Sequence, residues 1–275
     1  MERKKNTNLI AIADPSDFGL SAVRHAATLA AFFESSLTVI RHFSFHENVQ
    51  KHLEHPGMQE LLSTLPSSLR VILPEEDFTP EKLYDWAEKN NSIMYVIGVG
   101  REKKEAFFTR NSALKFIKPS RLPVLTVGLR PPVVERWQQV LLTVDIDRQA
   151  KEKVLWAGYF NRFGGSVIHL LHSEYRDEFL KQKLQDNLAF VDKLYGNLEI
   201  RTLEKHQVPP RTDPDTYALA HAEEYSASLL VIMTTTFKTF VDVLFGTREK
   251  QLIANSQGLP VLCINERDDL YVLCT

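Results

Sequence analysis

Apolar and polar positions alternate along the chain in blocks that favour strands and helices in turn. The run Leu9–Ala13 is continuously apolar, which is typical of a strand that is covered on both faces of a sheet. Apolar residues then recur at helical spacing at Leu20, Val23, Ala27 and Ala30. A strand followed by a helix, repeated with short links, predicts a parallel sheet with helices on both faces.

The same pattern continues to about residue 128. A polar stretch from Glu47 to Leu65 predicts a short helix, which Pro56-Gly57 interrupts. The other elements predicted in this half are the strands Leu37–His42, Leu69–Leu73, Met94–Ile97 and Val124–Val127 and the helices Pro80–Lys89 and Ser112–Lys118.

Five features of the first half recur in the second half in the same order, at an offset of about 130 to 137 residues. The pairs are LIAIADPSD with VLLTVDID, SLTVIRHF with SVIHLLHS, the helix starts Thr79-Pro80 and Asp213-Pro214, MYVIGVG with LLVIMTT, and RLPVLTVG with GLPVLCIN. The repeat predicts two similar domains, residues 1–130 and 137–265, and a C-terminal tail of residues 266–275. The joint contains Pro131-Pro132, which cannot continue a sheet or a helix.

Candidate ligand-binding residues stand at the carboxyl ends of the predicted strands, where doubly wound sheets bind their ligands. Asp14 and Asp145 each end an apolar strand, and Gly98 ends another. Gly246-Thr247 precedes the last predicted helix, at the place that Asn111-Ser112 takes in the first half. A hydroxyl at a helix start either caps the helix or binds a phosphate, and the dipeptide alone leaves both readings open.

Composition narrows the class of protein. The 275 residues are 44% hydrophobic and 25% charged, which is typical of a soluble globular protein. The net charge of -2 gives no bulk electrostatic case for nucleic acid, and no apolar run approaches the roughly 20 residues of a membrane span. The two cysteines, Cys263 and Cys274, are expected to be reduced thiols, and the apolar stretch near the N-terminus is too short for a signal peptide. We therefore expect a cytoplasmic protein.

The chain lacks the sequence marks of the common catalytic sites. It contains neither a G-x-S-x-G nucleophile elbow nor a Walker-type G-x4-G-K-[ST] loop. His42, His46, His52 and His55 cluster in the sequence, but no cysteine or tight acidic group completes a metal set of the usual spacing. We predict no catalytic residue and no metal ligand from these patterns.

The stretch DPSDFGLSAVRHAATLA, Asp14–Ala30, resembles the first turn and helix of the universal stress protein family, and the two-copy organisation resembles its tandem members. The resemblance covers nearly the whole chain. It implies a nucleotide-binding-type α/β fold in which each domain is a five-stranded parallel sheet with helices on both faces. It also implies that Asp14 and Asp145 contact a nucleoside, and that a loop of the form G-x2-G-x9-G-[ST] after the fourth strand binds the phosphates of ATP.

Both halves depart from that loop. In the first half Gly98 is present, Arg101 replaces the second glycine, Asn111 replaces the third and Ser112 supplies the hydroxyl, while Gly100 stands one place early. Asparagine is a low-cost replacement for glycine at a left-handed position, so Asn111 is expected to keep the loop shape. Arg101 either pairs with a phosphate or fills the phosphate position with its own cation.

In the second half Met233 and Thr236 replace the first two glycines, and Gly246-Thr247 survives. Thr234 to Thr236 supply three hydroxyls that could hold an anion. The first half is the better candidate for a working ATP site, because Gly98, Gly100, Arg101, Asn111 and Ser112 stand together.

Three functions stay open. The first is a stress-response regulator that senses ATP or another small anion, and the second is a partner-binding scaffold without a nucleotide. A slow ATP hydrolase or phosphoryl transferase is the least favoured, because no general base or magnesium ligand set stands out. Phenylalanines between the motif parts form either a lid or a contact with an unknown protein partner; they are Phe107, Phe108, Phe237, Phe240 and Phe245. The resemblance further implies that the fifth strands, Val124–Val127 and Val261–Ile264, pair within one chain as a pseudo-dimer.

Overall fold

The computed structural model describes residues 7–45, 55–102, 104–130, 137–146, 151–234 and 242–266. The chain forms two compact units. The first unit is Met1–Val134 together with Ile253–Pro260, and the second is Glu135–Leu252 together with Val261–Thr275. The predicted domain limits, 1–130 and 137–265, differ from these units mainly in the short segment Ile253–Pro260, which groups with the first unit.

The first unit alternates strands and helices along the chain. Its elements are β1 (Asn8–Ile12), α1 (Asp17–Phe32), β2 (Ser36–Ile40), α2 (Met58–Thr64), β3 (Val71–Ile72), α3 (Pro80–Lys89), β4 (Ser92–Gly100), β5 (Phe108–Thr109), α4 (Arg110–Ile117) and β6 (Val124–Val127). The strands lie in the order β3-β2-β1-β4-β6, all parallel, and β5 pairs with the end of β4. This is the predicted five-stranded parallel sheet, with one additional two-residue strand.

The second unit repeats this order. Its elements are β7 (Gln139–Val144), α5 (Lys151–Gly164), β8 (Val167–His172), α6 (Glu178–Asn197), β9 (Leu203–Gln207), α7 (Pro214–Ala220), β10 (Leu229–Thr234), α8 (Asp242–Ile253) and β11 (Val261–Asn265). The strands lie in the order β11-β10-β7-β8-β9 and are again parallel. The fold class predicted from the sequence is therefore confirmed in both halves.

The local sequence explains where several elements begin. All five residues of β1 are buried, as expected for a strand with helices on both faces. Thr79 caps α3 with its side chain and Asp213 caps α7, and Pro80 and Pro214 occupy the first helical positions, as the sequence predicted. The helices pack on a core that runs along both sheets and consists mainly of valine, leucine and isoleucine.

Several predicted boundaries were wrong, and two of these errors concern the glycines of the loop motif. Strand β4 extends to Gly100, three residues beyond the predicted end, so Gly98 and Gly100 lie in a strand and not in a loop. Helix α8 begins at Asp242, so Gly246-Thr247 lies inside the helix and not before it. In the second unit the helix therefore begins four residues before Gly246, and the Thr247 hydroxyl is not at the helix start that the sequence predicted.

Candidate functional site

The carboxyl ends of the strands define the candidate ligand positions in each unit. In a doubly wound sheet, ligands bind beyond these ends at the point where the strand order reverses. That switch point lies between β1 and β4 in the first unit and between β7 and β10 in the second. The residues around each switch point therefore decide what either unit can bind.

Asp14 follows β1 and organises the start of α1. Its Oδ1 accepts hydrogen bonds from the backbone N–H of Ser16, at 2.9 Å, and from the Ser16 hydroxyl. The hydroxyl of Ser16 in turn accepts from the N–H of Gly19 at 3.4 Å and caps α1. Asp14 thus acts as a turn residue at the strand end, and its contact with a nucleoside stays a prediction.

Gly98 lets the first turn of α1 approach β4 closely, and Gly100 lets Ala106 do the same. A Cβ atom on Gly98 would overlap the backbone carbonyl of Phe18, and one on Gly100 would lie 2.7 Å from the Cβ of Ala106. Neither glycine has a positive φ. The packing of the protein itself therefore explains both glycines, without a phosphate near the backbone.

Asn111 and Ser112 belong to the first turn of α4. The helix is capped by Thr109, whose backbone N–H donates to the Ser112 hydroxyl at 2.8 Å, and the two residues form a capping box. Asn111 is helical and is absent from the residues with positive φ, so the expectation that it keeps a left-handed loop was wrong. The helix begins at Arg110, and this start places Asn111 and Ser112 inside the helix.

Arg101 is exposed beyond the end of β4. Its backbone N–H donates to the Glu105 carboxylate at 3.3 Å. The side chain lines an open cleft of about 680 Å³ in the first unit, together with Lys104 and Arg130 and the acidic residues Asp17 and Glu105. Lys104 pairs with Glu102 at 3.0 Å, and exposed cations of this kind attract an anion only weakly.

A phenylalanine cluster occupies the space beyond the ends of β2 and β4 on the side of α4. Its members are Phe43, Phe45, Phe107, Phe108 and Phe116. The rings of Phe45 and Phe107 stack with centroids 5.7 Å apart, and Phe43 contacts Phe108 at 5.7 Å. Phe43, Phe108 and Phe116 are buried, so Phe108 is a core residue and not a lid. Phe237 and Phe240 lie outside the described residues.

The second unit uses Asp145 and Thr234 to hold its own loops. Asp145 Oδ1 accepts hydrogen bonds from the Tyr175 hydroxyl at 2.6 Å and from the N–H of Ile146 at 2.9 Å. The Thr234 hydroxyl donates to the Ile264 carbonyl at 3.2 Å and also bonds the Asn265 side chain, which ties β10 to β11. Thr236 lies outside the described residues, and its predicted role is untested.

A charge cluster lies at the switch point of the second unit. We give this name to Thr143, Lys153, Asp213, Asp215 and Arg248. Lys153 Nζ donates to Thr143 Oγ1 at 3.0 Å, and the Thr143 hydroxyl donates to Asp215 Oδ1 at 2.5 Å. Arg248 Nη1 lies 2.6 Å from Asp213, and its Nη2 lies 3.5 Å from Asp215. The starts of α5 and α7 and the second turn of α8 thus bring two cations and two carboxylates to one point.

The sheet opens where this cluster sits. The backbone pairing of β7 with β10 ends at Leu142 and Val231, whereas β1 pairs with β4 up to its last residue, Ile12. Thr143 follows Leu142 directly and turns its hydroxyl into the cluster. The charged side chains therefore meet next to the gap in which doubly wound folds hold their ligands.

Burial and pairing set the ionisation of the cluster. Burial acts to raise the pKa of Asp213, but hydrogen bonds from Thr216 and the Arg248 cation hold it below its ordinary value. Burial disfavours the Arg248 cation, but Asp215 and Asp213 raise its pKa. Lys153 and Asp215 are buried, whereas the side chains of Arg248 and Asp213 keep 33% and 35% of their exposure. The ion pair between Arg248 and Asp213 is thus open to solvent, and both partners are charged.

Sequence reasoning missed this cluster as a site. Asp213-Pro214-Asp215 was recognised only as a helix start. Gly246-Thr247 was identified as a candidate site, but Arg248, the next residue, was not. Thr143 and Lys153 gave no signal, because a threonine in an apolar strand and a lysine in a polar helix are common. Only the fold brings these five side chains together.

The comparisons with known proteins bear on the fold. No family model matches the chain, and no curated protein matches it. A universal stress protein from Archaeoglobus fulgidus DSM 4304 matches with a TM-score of 0.68 and 14% identity over 96% of this chain and 100% of that one. A functionally unknown protein from Pseudomonas aeruginosa PAO1 matches with a TM-score of 0.62 and 13% identity over 95% and 93%. The chain has the fold of a universal stress protein of tandem length.

Within the described part of the chain, no helix has the length and apolar character needed to cross a bilayer.

Proposed function

We propose that the chain is a regulatory protein of the universal stress type, which acts by binding and not by turnover. In this proposal the second unit holds a phosphate-bearing ligand of the ATP class at its charge cluster. The observation that carries the proposal is the pair of cations, Lys153 and Arg248, held beside the open switch point of that unit. Lys153 and Asp215 are buried, and burial of a charged group is costly unless the group is paired. The pKa values of Asp213 and Arg248 are shifted by burial and by neighbouring charges, and such groups are enriched at functional sites.

The geometry offers a route for an anion to enter. Arg248 and Asp213 are each about one-third exposed, so a phosphate can displace the Asp213 carboxylate and take over the Arg248 guanidinium. Lys153 reaches the same point through the Thr143 hydroxyl. In the absence of ligand, the two carboxylates neutralise the cations. Ligand binding therefore exchanges the carboxylate partners of the cations for phosphate partners.

The first unit supports a different use. The Ser112 hydroxyl caps α4, Asp14 holds the start of α1, and phenylalanines fill the space beyond β2 and β4. These observations favour the second candidate function for this unit, a partner-binding scaffold without a nucleotide. The roles in nucleotide binding assigned to Gly98, Gly100, Arg101, Asn111, Ser112 and Asp14 remain predictions.

Calorimetric titration of ATP, with and without magnesium, into three forms of the chain tests the proposal. The forms are the wild type, Lys153→Gln and Ser112→Ala. Glutamine can keep a hydrogen bond to Thr143 but removes the charge, so we expect about tenfold weaker binding from a lost charge-assisted hydrogen bond. Ser112→Ala removes the hydroxyl of the first unit and should bind ATP as the wild type does.

Two outcomes would contradict the proposal. Loss of binding in Ser112→Ala, with Lys153→Gln unaffected, would move the site to the first unit. Absence of binding to the wild type at millimolar ATP would leave the partner-binding scaffold.

A further inference from the structure

A second group of polar side chains lies on the sheet of the second unit, away from the switch point. We call His169, Glu204 and His206 the His–Glu–His cluster. His169 lies on β8 directly opposite Glu204 on β9, and His206 follows two residues later on β9. Because side chains alternate along a strand, Glu204 and His206 share the face on which His169 meets them.

The three ligand-type atoms form a compact triangle. His169 Nδ1 lies 3.1 Å from His206 Nε2 and 3.3 Å from Glu204 Oε2, and His206 Nε2 lies 3.8 Å from the same carboxylate oxygen. Zn²⁺ binds imidazole nitrogen and carboxylate oxygen at roughly 2.0–2.2 Å, so two ligand atoms in a tetrahedral site lie about 3.3 Å apart. The triangle already has nearly the size that a tetrahedral ion requires.

A neighbour on β7 orients the buried histidine. His169 Nε2 lies 2.7 Å from Gln139 Oε1, and because an amide oxygen only accepts, the hydrogen of the ring stands on Nε2. Nδ1 then presents its lone pair to His206 and Glu204. Burial lowers the pKa of His169 and thereby favours the neutral ring. The Glu204 charge acts to raise this pKa, and His206 acts to lower it further. An outer hydrogen bond of this kind is the usual support of a metal-bound histidine.

Tyr225 covers the two rings from one side. Its ring centroid lies 5.1 Å from that of His169 and 5.0 Å from that of His206. The side chains open progressively to solvent, with exposed fractions of 10% for His169, 29% for His206 and 58% for Glu204. The triangle is thus fixed at its inner end and accessible at its outer end.

We propose that the His–Glu–His cluster binds Zn²⁺ through His169 Nδ1, His206 Nε2 and Glu204 Oε2, with a fourth position open to solvent. Two imidazoles and one carboxylate suit zinc and related borderline ions, whereas magnesium and calcium prefer oxygen ligands throughout. The inference is independent of the proposed nucleotide site, which uses other residues.

The ion would join the last strand of the sheet to its neighbour. Strand β9 ends the order β11-β10-β7-β8-β9, and none of its residues is buried. A metal held by one residue of β8 and two of β9 adds a cross-link where apolar burial contributes little. The competing arrangement is a hydrogen bond from His206 Nε2 to His169 Nδ1 with no metal, and it predicts no zinc dependence.

The test uses the full chain, produced without a histidine tag and freed of metal by chelation. Zinc is titrated calorimetrically, and Co²⁺ is added separately to record the visible absorption of a tetrahedral site. The variants are His206→Ala, Gln139→Ala and the matched control His172→Ala, which removes a histidine near the end of the same strand, β8. Circular dichroism checks that each variant is folded, and thermal unfolding with and without zinc reports the cross-link.

We expect one zinc ion per wild-type chain and a rise in Tm on binding. His206→Ala should weaken binding at least about 100-fold and Gln139→Ala about tenfold, since an outer hydrogen bond typically contributes 10–100-fold. His172→Ala should bind as the wild type does. A wild type that takes up no zinc at micromolar concentration, or a folded His206→Ala that binds equally well, would overturn the proposal.

Discussion

His25 is a buried histidine in the middle of α1, with 1% of its surface exposed. Its Nδ1 lies 2.8 Å from the carbonyl oxygen of Ser21, one turn earlier, and therefore donates to it. Burial lowers the pKa of His25 to about 4; the Ser21 hydrogen bond opposes the shift, and the Arg24 cation adds to it. As the pH falls below 6.5, the ring becomes protonated in the unfolded chain but stays neutral in the folded chain until the pH approaches about 4.

This shift predicts a loss of stability in acid. Between pH 6.5 and about 4 the His25 ring binds a proton in the unfolded chain but not in the folded chain. The free energy of unfolding therefore falls as the pH decreases. The full shift corresponds to roughly 3 kcal/mol. Urea denaturation of the wild type and His25→Gln at pH 7 and pH 4.5 measures it, and the variant should lose less stability. Equal losses in both proteins would show that His25 does not titrate as described.

Single side chains explain why the site could be predicted only in part. The hydroxyls and glycines of the loop motif stand at the expected spacing, but spacing does not reveal what each group contacts. Ser112 is occupied because Thr109 stands three residues earlier and completes a capping box. Arg248 gains its role from Asp213 and Asp215, which are more than 30 residues away in the sequence.

The packing of α1 on β4 gives a second prediction. A Cβ atom on Gly98 would overlap the Phe18 carbonyl, and backbone cannot rotate aside as a side chain can. We therefore expect Gly98→Ala to lower the free energy of unfolding by about 2 kcal/mol or more. Gly196→Ala in α6 is the matched control, because nothing lies within 4 Å of its Cβ position. Gly196 stands one residue before the end of α6, so alanine there should leave the free energy of unfolding unchanged or raise it by about 0.5 kcal/mol at most.

The same pair of variants separates packing from phosphate binding. If Gly98 served only to let a phosphate approach the backbone, its replacement would weaken ATP binding and leave the free energy of unfolding nearly unchanged. Chemical denaturation of both variants therefore decides the matter. Gly98→Ala as stable as Gly196→Ala would contradict the role that we assign to Gly98.

The accuracy of the predicted element boundaries differs along the chain. The predicted α3, Pro80–Lys89, and β6, Val124–Val127, match the structure at both ends. In α3 a capping residue, a proline and an apolar stripe agree. The end of β4 was missed because glycines are typical of loops in a sequence, whereas here Gly98 allows α1 to approach the strand and Gly100 allows Ala106 to do so. The start of α8 had no such mark, and the helix begins at Asp242.

The whole chain consists of two units with the same strand order and different surroundings at their strand ends. In the first unit, the residues of the loop motif form a capping box next to a phenylalanine cluster, and in the second unit, charged residues lie at the switch point. Repetition of sequence features predicted the common fold, because buried strands and helix caps repeat with the fold. The repeated features did not predict that the two switch points differ in the residues around them, since this difference depends on interactions between residues that are distant in the sequence. The pairing of the fifth strands in one chain stays a prediction.

Hydrogen exchange measured by mass spectrometry, with and without ATP, tests the central claim most directly, because it locates the ligand. We expect slower exchange in peptides that contain the end of β7, the start of α7 and the turn of α8 around Arg248. Peptides that contain Phe107 to Ser112 in the first unit should exchange at the same rate in both conditions. Protection of the first unit alone, or of neither unit at saturating ATP, would contradict the assignment of ligand binding to the charge cluster.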